Sequence, residues 1–444
     1  MTFRVDRVGE AVSVDLPQAV EPPERVASVD ALRGLVILLM IFVNDVAGVA
    51  RAPSWLKHVG VDADAMTLPD IVFPAFLFIA GVSIPLSLQC AAAAGRTRIE
   101  LLARVLTRTF ALLVMGVMMV NGEHHNPWYR GLWGLLAYLA MILAFTAAPR
   151  EPGPRRNAFL VGRTIGAAAL LFLALAYRTP DGKAMVLGPI FVQGDTVWLR
   201  HSWWGILGLI GWSYLAASLV YLVFGRRREW LVGATVLMAM LYVAEHKGLF
   251  SRVDSRDWLA WAASALGQIE RVFDWLKSHV SFGDSLASIS MAGCCLGSIL
   301  APRSDLRTHG ERLRWAMVFG LGLFAAGVLF DPLFGINKIR ATPAWCCYCA
   351  CLTLLVWVVL YWIMDVRGHR AWSVVVRPAG ANPLLAYILH PVLYLIAGIV
   401  GVPIAFYKSP DLPLFVNILG CLAMAFLVVG IAGLGTRLGF RVKA

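Results

Sequence analysis

Apolar runs of membrane length recur along the chain, separated by polar stretches rich in Arg, Pro and Gly. A bilayer core is crossed by about 20 apolar residues in a helix, and about twelve runs approach that length. They cover residues 32–47, 68–88, 106–120, 132–148, 159–177 and 203–224, then 230–244, 286–300, 317–330, 344–364, 383–404 and 414–434. Lipid offers no hydrogen bonds to a backbone, so each run must satisfy its own, as a helix does. The period-two alternation of barrel strands is not seen. The pattern predicts an all-α polytopic membrane bundle of 10–12 transmembrane helices.

Composition agrees: 59% of the 444 residues are hydrophobic and 15% charged, against about 25% charged in soluble domains. The formal charge of +12 could suggest nucleic acid in a soluble protein. Here the basic residues fall in alternate loops, so they report topology and no nucleic-acid partner is expected. Those loops carry Arg96, Arg98 and Arg104; Arg150, Arg155 and Arg156; Arg226 to Arg228; Arg303 to Arg314; and Arg367 to Arg377. The tail adds Arg437, Arg441 and Lys443, which places both termini in the cytoplasm. The expected plan is a cytoplasmic segment 1–30, one transmembrane domain 31–436 with a periplasmic insertion 245–283, and a cytoplasmic tail 437–444. Within the insertion, apolar residues over 257–280 recur at helical spacing. Such a helix either lies on the outer membrane surface or caps a substrate site. No basic stretch leads directly into an apolar core near the N-terminus, so no cleavable signal peptide is expected.

The eight cysteines lie in or at the edge of apolar runs with no histidine cluster, so they read as small buried residues and no metal is expected. No Walker A or dinucleotide fingerprint is present.

Chemistry concentrates in the hairpin 25–88. Two apolar runs bracket a short outer loop holding His58, and Asp30, Arg33, Asn44 and Asp70 sit at or near their ends. Ionisable groups at such depths are expensive and usually functional. His58 can take a proton from a nucleophile, or accept an acyl group itself. Asp70 either orients His58, caps the second helix, or does both. Asn44 and Asn121 end outward-running helices, where each either caps the helix or binds a carbonyl oxygen or sugar hydroxyl. His124 follows Asn121 in the same outer loop. Asn337 and Lys338 sit at an outer end, where Lys338 either anchors at the interface or meets a carboxylate or carbonyl. His390 falls roughly 12 Å into its helix, near mid-membrane, and needs a partner or a water-lined cavity there. Asp30 and Arg33 either pair at the start of the first helix or present Arg33 to a phosphate.

Arg25-Val-Ala-Ser-Val-Asp30-Ala-Leu-Arg33-Gly34, Val43-Asn44, Lys57-His58 and Asp70-Ile-Val-Phe-Pro74 with Gly81-Val-Ser83 resemble the heparan-α-glucosaminide N-acetyltransferase family. Ser288 to Gly293, Ile336-Asn337-Lys338 and Gly380-Ala-Asn382-Pro with His390 are similar as well. The stretch Trp203 to Trp212 resembles a bacterial subgroup associated with N-acetylglucosamine utilisation. The resemblance implies acetyl transfer from cytosolic acetyl-CoA to a periplasmic amino sugar or glycan, by a multi-pass protein of the bacterial inner membrane. It implies His58 as the catalytic histidine, with Asp70 and Asn44 beside it. Asn121, His124, Asn337, Lys338 and His390 would contact acyl group or acceptor, and Asp30, Arg33, Ser83 and Asn382 the cofactor. A homodimer and lipid contacts follow from the same likeness. The chain departs from the family at Val59 to Asp64, where a Trp-x-Gly is usual, and at Leu132 to Tyr138, where Gln-Arg-Leu/Ile-Gly is usual. The competing class is a secondary transporter of an amino sugar or related solute, which an even number of spans with buried polar groups also fits.

Overall fold

The computed structural model describes residues 26–123, 127–177, 199, 204–225, 227–246 and 285–443. Segment 1–25, His124 and the expected amphipathic helix at 257–280 lie outside the described residues. Each predicted run is a helix: α1 Ala27–Val46, α2 Leu68–Ala93, α3 Arg98–Glu123, α4 Pro127–Phe145, α5 Pro154–Leu175 and α6 Gly205–Phe224. They continue as α7 Arg228–His246, α8 Leu286–Leu300, α9 His309–Phe334, α10 Pro343–Tyr361, α11 Pro383–Val400 and α12 Leu414–Leu438. Among the described residues nine of these are long and apolar enough to cross a membrane, and the 131–145 part of α4 and α8 are shorter apolar helices. The one extended pairing among the described residues is a single bridge between Thr146 and Val442. The chain is an all-α, multi-pass membrane protein.

The centre of the bundle is the contact of α2 with α8. Every residue of α8 is buried, as expected of a helix that is apolar all round. Small residues let the two backbones touch: a Cβ on Gly81 would overlap the Ser290 carbonyl, and one on Gly293 the Phe78 carbonyl. In lipid there is little hydrophobic drive between helices, so such close approach supplies the attraction. Ser290 adds a hydrogen bond from its hydroxyl to the Leu77 carbonyl, 3.2 Å. Elsewhere Leu321, Val328 and Leu329 of α9 and Leu171 and Phe172 of α5 stay exposed, as suits side chains meeting lipid rather than water.

Tertiary contacts anchor α1 at its start. Its first N–H groups lack helical partners, and Asp365 accepts from Ala27 N and Ser28 N, both at 3.1 Å. Gly34 passes close to the Val376 carbonyl, and Gly380 to the Asp30 carbonyl. The short helix Arg377–Ala381 thereby packs against α1.

Seven of the eight cysteines are buried and Cys90 is partly so. This matches their reading as small helix-packing residues.

Candidate active site

The sequence Thr67-Leu-Pro-Asp70 starts α2 with a capping box. Thr67 N donates to Asp70 Oδ2 at 3.1 Å, and Val59 N lies 3.4 Å from the same oxygen. That leaves Asp70 Oδ1 pointing at the loop, where His58 Nδ1 meets it at 2.7 Å. The carboxylate is completely buried while the imidazole is 49% exposed. An ionised carboxylate can only accept, so Nδ1 carries the hydrogen and Nε2 keeps its lone pair for a ligand. The two roles weighed for Asp70 are therefore both filled, by its two different oxygens.

Lys338 completes the group from the connection between α9 and α10. Its Nζ lies 3.1 Å from His58 Nδ1 and 3.6 Å from Asp70 Oδ1. Since Nδ1 already donates to Asp70, the attraction of the ammonium is to the carboxylate. Burial pushes the Lys338 pKa below its ordinary value, and the charge of Asp70 only partly restores it. Between that lowered value and the usual lysine value near 10.5, the folded chain binds fewer protons at this site than the unfolded chain. Stability at this site therefore rises with pH across that window. Wild type is expected to gain stability relative to Lys338→Met as pH rises toward 10.5. Parallel melting curves of the two proteins across that window would contradict this assignment.

Asn337 holds the lysine in place. Its amide donates to the Val61 carbonyl at 2.7 Å and the Ala63 carbonyl at 3.0 Å, and its Oδ1 accepts from Arg340 N at 2.9 Å. Asp64 Oδ1 accepts from Ile336 N at 2.6 Å, and Asp62 pairs with Arg340 at 2.9 Å. Ala341 has a φ of 47°, in the left-handed region that a Cβ disfavours. Strain of this kind persists where the surroundings over-determine it. Thus the stretch Val59 to Asp64 is the surface to which the Lys338 turn is bolted.

Arg33, on the second turn of α1, forms a second polar group with Ser83 farther along α2. Its Nη1 lies 2.9 Å from Asp30 Oδ1, and its Nη2 donates to Ser83 Oγ at 3.0 Å. Three of the four expected donor-binding residues are thereby brought together. The fourth is not. Asn382 donates to Thr436 Oγ1 at 3.0 Å and to the Phe440 carbonyl at 2.7 Å, and accepts from Val442 N at 3.2 Å. Its amide bolts the end of α12 to the start of α11. Asp70 and Ser83 lie thirteen residues apart on α2, so roughly 20 Å of helix separates the two groups.

His390 belongs to a third group. Its Nε2 is 3.2 Å from Asp45 Oδ1, and the same oxygen meets Tyr394 OH at 2.5 Å and Lys408 Nζ at 2.8 Å. Tyr407 OH donates to Asp45 Oδ2 at 2.7 Å. His390, expected to need a partner inside its helix, thus meets the buried Asp45 of the last turn of α1. Sequence reasoning chose Asn44 and passed over its neighbour. Asn44 is exposed and does not join the hydrogen bonds of His58 or Asp70, whereas Asp45 is fully buried. A helical residue next to an exposed one can turn about 100° inward, and an acid just after the apolar run ending at Val43 was the available signal for it. Asn121 is buried and donates to the Val117 carbonyl one turn earlier, 2.8 Å away.

Residues 25–147 match the family model described as "Domain of unknown function (DUF5009)". The chain is 38% identical over 103 residues to heparan-alpha-glucosaminide N-acetyltransferase of Homo sapiens, and 37% identical over 103 residues to that of Mus musculus. Over those 103 residues, this chain is similar to heparan-alpha-glucosaminide N-acetyltransferase. The match covers 23% of this chain and 15% of the human relative, and 22% and 14% in the mouse comparison. The matched segment spans His58 and Asp70, and Asp30, Arg33 and Ser83. Lys338 and the partners of Asp45 lie beyond it.

Proposed function

We propose that the protein is a transmembrane acetyltransferase that moves an acetyl group from cytosolic acetyl-CoA to an amino sugar or glycan acceptor across the bacterial inner membrane. The observation that carries this reading is the half-exposed His58 held through Nδ1 by the buried Asp70, in a chain 38% identical over 103 residues to an N-acetyltransferase.

In this reading the acceptor amine attacks the thioester carbonyl while His58 Nε2 removes its proton. Asp70 stabilises the imidazolium that forms, as a buried carboxylate does beside other catalytic histidines. The carbon–sulfur bond then breaks, and the departing thiolate takes the proton back from His58. Lys338 sets a positive charge beside the carbonyl oxygen as it becomes an oxyanion. Arg33, held between Asp30 and Ser83, meets phosphate of the donor farther along α2, and the donor arm spans the roughly 20 Å between the two groups.

The test is transfer of labelled acetyl from acetyl-CoA to glucosamine by the purified protein. Arg33→Ala is expected to raise the KM for acetyl-CoA by about tenfold to a hundredfold, the scale of one or two charge-assisted hydrogen bonds, and to change kcat much less. Absence of acetyl transfer, with labelled sugar instead accumulating in vesicles free of CoA, would favour transport.

A further inference from the structure

Around Asp45 the chain has assembled the parts that recognise an ammonium ion. The carboxylate is completely buried at the end of α1. The Lys408 Nζ sits 2.8 Å from Asp45 Oδ1, 4.7 Å from the centre of the Tyr394 ring and 5.8 Å from that of Tyr407. One anion and two aromatic faces around one nitrogen make the arrangement by which proteins bind organic ammonium ligands. The occupant does not come from a helix of the bundle. Lys408 ends the short turn Phe406–Lys408 in the connection between α11 and α12. Tyr394 also forms part of the wall of a cavity of about 230 Å³ between α3, α4 and α11, with Met118, Met119, Tyr138, Met141 and Leu395. The cage therefore adjoins space that the chain leaves unfilled.

We propose that Asp45, Tyr394 and Tyr407 form a recognition site for the primary ammonium group of a small ligand, and that Lys408 occupies this site as a displaceable internal stand-in. This rests on the acyltransferase reading only for its relevance to the acceptor; the binding itself does not. A carboxylate at hydrogen-bond distance favours the charged form of a bound amine. A protonated nitrogen has no lone pair, so an amine held here is recognised and not acylated. Reaction requires its transfer to His58, where a base is available. Both sites lie on the same segment, Asp45 at the end of α1 and His58 in the loop that follows. The ligand class is a primary amine on a small polar body, such as an aminohexose. An aminophospholipid headgroup offers the same chemistry from a different source.

Chemical rescue tests this without acetyl-CoA. Lys408→Ala empties the cage while leaving Asp45 buried. Glucosamine at saturating concentration is expected to raise the melting temperature of Lys408→Ala by about 2–4 °C, and that of wild type by less. N-acetylglucosamine, whose nitrogen is neutral, is expected to leave both unchanged. Asp45→Asn/Lys408→Ala is expected to lose the glucosamine response. A shift on adding phosphatidylethanolamine to the micelles, with none from glucosamine, supports the cage and assigns its ligand to lipid. No shift of Lys408→Ala by either amine, or equal shifts by glucosamine and N-acetylglucosamine, overturns the proposal. If Lys408→Ala does not fold, the same comparison is made on Lys408→Gln, whose amide keeps a donor on Asp45 and leaves the charge to be supplied; lack of an amine-specific shift there overturns it equally. A negative acetyl-transfer assay would remove the acyltransferase reading while leaving the rescue result intact.

Discussion

His58→Ala is expected to lower acetyl transfer by about 10²–10⁴-fold, the usual contribution of a positioned general base, while leaving the melting temperature within a degree or two. The two halves of this expectation have separate grounds. The imidazole is half exposed and packs into no core, so its removal opens no cavity. Asp70 loses one donor, but Thr67 N still caps it and Lys338 remains 3.6 Å away. Activity has no such substitute, because among the described residues His58 is the exposed base that the buried carboxylate orients. Asp70→Asn provides the control. An amide at Oδ1 can donate to Nδ1 and so favours the tautomer with the hydrogen on Nε2, leaving no lone pair for the acceptor. It should therefore cost as much activity as the loss of the ring. If His58→Ala retains full transfer with glucosamine, the catalytic assignment is wrong. If both variants unfold, the assignment to chemistry rather than structure is wrong.

Lys408→Met is expected to destabilise the protein by about 3–5 kcal/mol, the scale of removing one partner from a buried ion pair. The substitution keeps the length of the side chain and removes the charge, so Asp45 is left ionised and buried. Burial works against the charge on Lys408, yet its hydrogen bonds to Asp45 and Tyr394 move its pKa above the ordinary lysine value. It therefore stays protonated through the neutral range and pairs with Asp45 there. The loss should be recovered in large part by Asp45→Leu/Lys408→Met, since removing both charges removes the desolvation penalty with the attraction. Denaturant unfolding in detergent of the two single variants and the double variant measures this coupling. Additive losses would show that Lys408 does not stabilise the fold through Asp45. The amine-dependent shift on Lys408→Ala then reports whether that pair is only a strut or also a binding site.

The fold and one pairing were determined by the sequence alone. Membrane-length apolar runs leave a backbone no alternative to helices, so each of the twelve runs became one, with differences only at the ends. The Asp70–His58 contact was legible for a local reason. Thr67-Leu-Pro-Asp70 specifies a capping box, the box fixes the carboxylate at the head of α2, and the loop holding His58 is short enough to reach it. Asp30, Arg33 and Ser83 likewise lie on two helices joined by one hairpin.

Tertiary structure decided what depends on helices distant in the chain. Which face of α1 is buried is settled by α11, α12 and the Phe406–Lys408 turn, and it chose Asp45 over Asn44. Asn382 was assigned to the donor by its place in a motif, but the end of α12 captured its amide. Lys338 reaches His58 across 280 residues of chain, through a turn fastened to Val61 and Ala63 by Asn337. Apolar periodicity reports which residues enter the membrane, because that is a property of each segment and its solvent. It does not report which polar residues meet inside, because that depends on the rotation of each helix against neighbours that the local sequence does not name.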